Sequence, residues 1–215
     1  MNKFLLYSTT ILSVLSILLL GLACESATVN QTIRIRNGEH VDSGLHSVNG
    51  SILVGDDCDI DGDCQSVNGG IEIGEGSRVA SVQSVNGSID ILGGVDVNGD
   101  ITSVNGSVSI ENGSKVKGDI STINGSINLN GTEVNDDLTT INGNITLDNE
   151  SEVYGDIIIK ENKRGSHSPL SIEILDGSVL RGDIIVKEQQ RKVKVYISKN
   201  SKVEGKIQNA EIIRE

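Results

Sequence analysis

The chain has 215 residues, a formal net charge of −12, 25 Gly, one Pro and no Trp. Ala occurs only at 23, 27, 80 and 210, while Ile, Val, Asn, Gly and Ser abound, which excludes a helical fold. The one Phe is Phe4, and Tyr154 and Tyr196 are the only aromatics after position 23, so a core packed on rings is excluded and an aliphatic one is required.

Residues 1–23 come first. Lys3 is the only charge before Glu25, and 4–23, FLLYSTTILSVLSILLLGLA, is mostly apolar. This predicts a signal peptide over 1–23, outside the fold. The run ends in GLAC, which resembles the lipobox of bacterial lipoproteins. That resemblance implies cleavage before Cys24, lipidation of Cys24 and a short anchor over 24–27. Gly21 stands where the motif usually has Leu. Gly21-Leu22-Ala23 also suits an ordinary signal peptidase, and the uncharged run is long enough to span a bilayer. Cysteine parity favours lipidation: of three Cys, a lipidated Cys24 leaves Cys58 and Cys64 as an even pair. Glu25, not Asp, follows Cys24; by analogy with Gram-negative lipoprotein sorting this implies export to the outer membrane.

From Thr28 onward the chain repeats. Blocks open at Thr28, Ser47, Ser66, Ser84, Ser103, Thr122, Thr140 and Ile159, each 18 or 19 residues after the last. Two longer blocks, 159–185 and 186–208, keep only the second half of the pattern. Apolar residues fall in columns. One runs from Ile33 through Ile52 and Ile71 to Val195, a second two residues later from Ile35 through Val54 to Ile197, and a third from Leu45 through Cys64 to Ile207. The I-x-I spacing is that of a strand, and the fixed period is that of a solenoid. The prediction is an all-β fold: a single-chain parallel β-helix of about nine coils, regular over 28–158, with longer irregular basic coils and a cap over 159–215.

Each regular block carries S/T-V/I-N, as in SVNGSI at 47–52 and 84–89, followed by Gly in all but the first, where Gln31 follows Asn30. Gly is expected to supply positive φ at a corner there. Asn30, Asn49, Asn68, Asn86, Asn105, Asn124 and Asn142 are expected to stack as a hydrogen-bonded ladder. An array of S/T and N on one face would also suit an ice or crystal surface.

The SVNGSI half is similar to the repeats of bacterial adhesin-like β-solenoids. The other half, GSKVKGDI at 113–120 and GSVLRGDI at 177–184, resembles the G-x-V-x-G-D-I rhythm of bactofilins. The bactofilin resemblance implies head-to-tail filaments and a mostly cytoplasmic location, from which the leader departs.

GDDCDIDGDC at 55–64 breaks the monotony. D-x-D-x-D-G opens a calcium loop, and Asp57, Asp59 and Asp61 should share one outer face as a candidate Ca2+ site, although Asn68 stands where an EF-hand has Glu. The alternative is a solvated acidic corner. Gly-Asp pairs at 62–63, 99–100, 118–119, 155–156 and 182–183 read as a turn feature. Cys58 and Cys64 are a candidate disulfide in an oxidising compartment. His40, His46 and His167 show no zinc-site spacing, and no nucleophile or phosphate-binding motif is present.

Residues 24–158 hold five basic and 22 acidic side chains; 159–215 hold twelve and eight. The basic end, ENKRGSHSP at 161–169 and KEQQRKVKV at 187–195, suits an anionic glycan or lipid headgroup. The reading favoured over that one is the protection of an exposed last strand, which Pro169 and the two lengthened coils fit. No aromatics interleave with the basic residues, which argues against nucleic acid. The expectation is a non-enzymatic, lipid-anchored envelope solenoid with a structural or adhesin-like role. A bactofilin-like polymer, with self-association, and a glycan-binding or glycan-active β-helix are the alternatives.

Overall fold

The computed structural model describes residues 27–162 and 168–214. They form an all-β solenoid of three parallel sheets, with no helix among the described residues. The first sheet has ten strands, from Ala27–Thr28 to Ile207–Gln208. The second also has ten, from Ile33–Ile35 to Glu211–Arg214, and the third has nine, from His40–Val41 to Lys202–Val203. The chain visits the sheets in turn, so each strand pairs with the strand one coil away. Register follows the repeat: Thr28 lies opposite Ser47, Leu45 opposite Cys64, Ile33 opposite Ile52. The longer blocks stay in the same stack, with Ile159 opposite Val186.

The predicted apolar columns point inward. Ile52, Ile71, Ile89, Ile127 and Ile145 are fully buried, as are Ile101, Ile120 and Leu138 in the first sheet. A further inward column, Ile60, Val79, Val97, Val116, Val134 and Val153, comes from the third sheet. Its strands are only two residues long, too short to show I-x-I alternation. Each buried Ile or Val contributes about 1.5–3 kcal/mol, against about 1 kcal/mol for a hydrogen bond. The three walls therefore hold the stack, and the corners set its register.

The Asn ladder forms and is longer than expected. Asn49 Nδ2 donates to Asn30 Oδ1 at 2.6 Å, and the pattern continues through Asn68, Asn86, Asn105, Asn124 and Asn142 at 2.7–2.8 Å. Asn162 adds a further rung at 2.9 Å. Ser and Thr of the motif turn inward instead: Ser47, Ser66, Ser84, Ser103, Thr122 and Thr140 are buried. Ser66 Oγ donates to the Gly50 carbonyl at 3.1 Å, and Ser103 Oγ to that of Gly87 at 3.3 Å. S/T and N thus face opposite ways, which removes the flat array that an ice surface would need.

The glycine expectation is corrected as well. The glycines that follow the ladder residues are not among those with positive φ. They are needed for close approach: a Cβ on Gly106 would stand 2.1 Å from the Gly87 carbonyl oxygen of the preceding coil. Among the glycines, positive φ falls at the corner between second and third sheets, at Gly76, Gly94, Gly113 and Gly131, with Asp57 and Glu150 at the same corner; at the ladder corner it is Asn30, not a glycine, that takes it. Gly-Asp is a turn feature as predicted. Asp63, Asp100, Asp119, Asp156 and Asp183, and Asp137 of an Asp-Asp pair at the same place, each accept the backbone N–H of the next coil through Oδ1, at 2.7–3.1 Å.

Candidate functional site

The third sheet presents charge to solvent in an ordered way. Down one outward column run His40, Asp59, Arg78, Asp96, Lys115 and Glu133, with signs alternating between neighbours. In-register stacking forces like positions together, and alternation turns that crowding into attraction. Arg78 lies 3.6 Å from Asp59, and Lys115 Nζ 3.0 Å from Glu133. Near the C-terminal end Arg181 sits between Glu152 and Glu204 and stacks over the Tyr154 ring at 5.2 Å.

At the N-terminal end this face gathers one imidazole and three carboxylates. His40 Nε2 is 2.6 Å from Asp42 Oδ1 and 3.9 Å from Asp61 Oδ2, and His40 Nδ1 is 3.5 Å from Asp59 Oδ2. The hydrogen bond to Asp42 raises the imidazole pKa above its usual value, with the Asp61 and Asp59 charges adding to it. His40, Asp42 and Asp61 each offer a ligand atom, all within 4.8 Å of one another, and all three are exposed.

The expected calcium trio is only partly assembled. Asp59 and Asp61 do share the outer face, but Asp57 is at the preceding corner with φ 55°, its carboxylate over Gly76 of the next coil. Among the described residues, the group close enough to share one ion is His40, Asp42 and Asp61, not Asp57, Asp59 and Asp61. The reason is that alternation begins only with the strand Asp59–Ile60, so Asp57 belongs to the turn. His40 has no zinc-site spacing along the chain; its signal in the sequence is H-x-D at 40–42 lying over D-x-D at 59–61, one repeat later.

Cys58 and Cys64 are both free and buried, so the candidate disulfide is not formed. Cys58 takes the corner place that Ser77 and Ser114 occupy in other coils, and its thiol donates to the Arg36 carbonyl at 3.0 Å. Cys64 points into the first-sheet core, where burial pushes its thiol pKa up to about 12. The predicted signal peptide over 1–23 and the candidate lipidation site Cys24 lie outside the described residues. Among the described residues no helix is long and apolar enough to cross a membrane.

Of the basic end, Lys187, Lys192, Lys194, Lys199, Lys202 and Lys206 are exposed, while Lys163, Arg164 and His167 lie outside the described residues. Lys160 is half-buried, and burial with the nearby Lys187 charge lowers its pKa. Arg191 and Glu188 are buried. Arg191 closes the Asn ladder, donating to the Ile141 carbonyl and, at 2.9 Å, to Asn142 Oδ1. Glu188 accepts the backbone N–H of Asn162 at 3.1 Å. Comparison of the chain with protein-family models, with curated proteins and with solved structures finds no match.

Proposed function

We propose that the chain is a discrete, non-enzymatic rod of the cell envelope, held by a lipid on Cys24 and acting as a structural or adhesin-like element. The observation that carries this reading is the construction of the regular coils. Strands are joined by corners of two to four residues, as at 80–81, 61–63 and 48–51, and the interior is filled by side chains. Side chains for contact therefore stand in flat columns on the outside, the form of a spacer or adhesive surface rather than a cleft. The first strand begins at Ala27, three residues after Cys24, so a lipidated chain would stand directly on its membrane.

The ends favour a discrete rod over a bactofilin-like filament. In the last strand Ile212 continues one inward column, but Arg214 occupies the inward position opposite Ile197. A charge at that place blunts an open edge against further pairing. The basic C-terminal end is read as part of the same edge protection.

The test is fractionation of cells expressing the chain and Cys24→Ser. The wild-type chain is expected in the membrane fraction and labelled by fatty acid, and the variant unlabelled and soluble. A variant that stays in the membrane after cleavage, or a leader never removed, would sink the anchor.

A further inference from the structure

We propose that His40, Asp42 and Asp61 bind a divalent transition-metal cation of the zinc class, which clips the first coil to the second at the N-terminal end of the rod. The ligands are an imidazole nitrogen and two carboxylate oxygens, donor types that zinc accepts, and three protein ligands leave a fourth position for water. Donor atoms at about 2.0 Å from a tetrahedral ion are separated from one another by about 3.3 Å. The separations here, 2.6 Å from His40 Nε2 to Asp42 and 3.9 Å to Asp61, bracket that value. Small side-chain rotations bring all three onto one ion.

The backbone makes the arrangement repeatable rather than accidental. His40 lies opposite Asp59 and Val41 opposite Ile60 in the parallel pairing, so Asp42 and Asp61, each one residue further on, lie side by side. The Val41 carbonyl accepts the Asp61 N–H at 3.0 Å, which fixes the two carboxylates on adjacent coils. The other imidazole nitrogen is addressed as well. Asp59 lies 3.5 Å from His40 Nδ1 and is itself held by Arg78 at 3.6 Å. A carboxylate on the far nitrogen orients a metal-binding imidazole and presents Nε2 to the ion. Asp59 is thus a positioning residue, and water completes the coordination on the exposed side. Hard-ion selectivity is disfavoured because calcium takes six to eight oxygens and this site offers a nitrogen in their midst.

The experiment is calorimetric titration of the purified chain with zinc chloride alone, with cobalt chloride as a spectroscopic probe. One zinc per chain is expected, with a dissociation constant below about 100 μM, and cobalt should give the strong visible band of a four-coordinate ion. His40→Ala should abolish both signals. Asp59→Asn should retain one-to-one binding but weaken it about 10-fold or more, and Asp57→Asn should change nothing. All of these side chains are on the surface, and unchanged circular dichroism confirms that each variant is folded. Absence of zinc binding, or binding that survives His40→Ala, overturns the site. Calcium binding that depends on Asp57 and not on His40 overturns it in favour of an oxygen-only site.

Discussion

The regular coils over 28–158 and the longer coils over 159–214 use the same three walls but close their corners differently. In the regular part an Asn rung, an inward hydroxyl and a glycine pressed on the preceding carbonyl recur at every turn. In the later part strands lengthen to five residues, Leu170–Ile174 and Val193–Ile197, and the ladder ends on the buried Arg191. Identical corners suit indefinite stacking, and a single charged side chain suits a stop. The core columns run on to Val195 and Ile207 after the ladder has ended, so the walls, not the corner ladder, carry the stack through both parts.

The largest effect should come from breaking a wall in the middle. Ile110 is buried in the second-sheet column and Glu111 beside it is exposed. Ile110→Asp buries an unpaired carboxylate between coils and should cost at least about 4 kcal/mol, whereas Glu111→Asp should change stability by about 0.5 kcal/mol or less. Ile197→Asp, in the same column near the end, should fray only the last coils, because solenoid damage passes through neighbours. Limited proteolysis and denaturant titration of the three variants test this. Equal resistance of Ile110→Asp and Glu111→Asp would refute the inward and outward assignment.

Next in size is the corner glycine. Gly106→Ala drives a methyl into backbone and should cost about 2–3 kcal/mol. At Gly113, φ is 81° but the nearest atom to an added Cβ is 3.7 Å away. Gly113→Ala should therefore cost only about 1 kcal/mol, the strain of a left-handed residue. Thermal unfolding ranks the pair, and a reversed order would mean that φ, not close approach, governs these corners.

Removing a rung sharpens the contrast between the regions. Asn105 both donates and accepts in the ladder, so Asn105→Ala should cost about 1–2 kcal/mol. Arg191→Met removes the cap from Asn142 and Ile141 and should loosen only the later coils. Hydrogen exchange resolved by segment is the measurement; loss of protection over 28–120 in Arg191→Met would contradict a local cap.

The smallest effect is electrostatic. Burial, with the Asp137 and Asp100 charges adding to it, raises the Asp119 pKa. An acid whose pKa is raised by folding is destabilising once ionised, so the penalty is absent at low pH and present above the usual Asp range. Asp119→Asn keeps an acceptor for the Asp137 N–H. It should match or exceed wild type in stability near neutral pH by about 0.5 kcal/mol or less, with the advantage vanishing below about pH 4.

Much of this was legible in the sequence, because a core of stacked identical positions prints itself as columns. The walls from Ile33 to Val195 and from Leu45 to Ile207, the Asn ladder and the acidic turn all follow from the period. What was not legible depends on atoms from neighbouring coils. The role of Gly106 is set by the carbonyl of Gly87, and the ladder's further rung at Asn162 is displaced by one position from the motif. Cys58 and Cys64 share one block, yet one fills a serine's corner and the other an isoleucine's column. His40 has Asp42 beside it in the chain but gains Asp59 and Asp61 only when one coil is laid on the next.

The most direct test of the account is the size and shape of the released chain, the soluble Cys24→Ser form, in light scattering and negative-stain microscopy. Ten strands at about 4.8 Å spacing make a rod roughly 43 Å long. The account predicts single rods of that length with the mass of one chain, unchanged as concentration rises. Filaments growing in multiples of that length would contradict it, for they would mean that Arg214 does not blunt the edge.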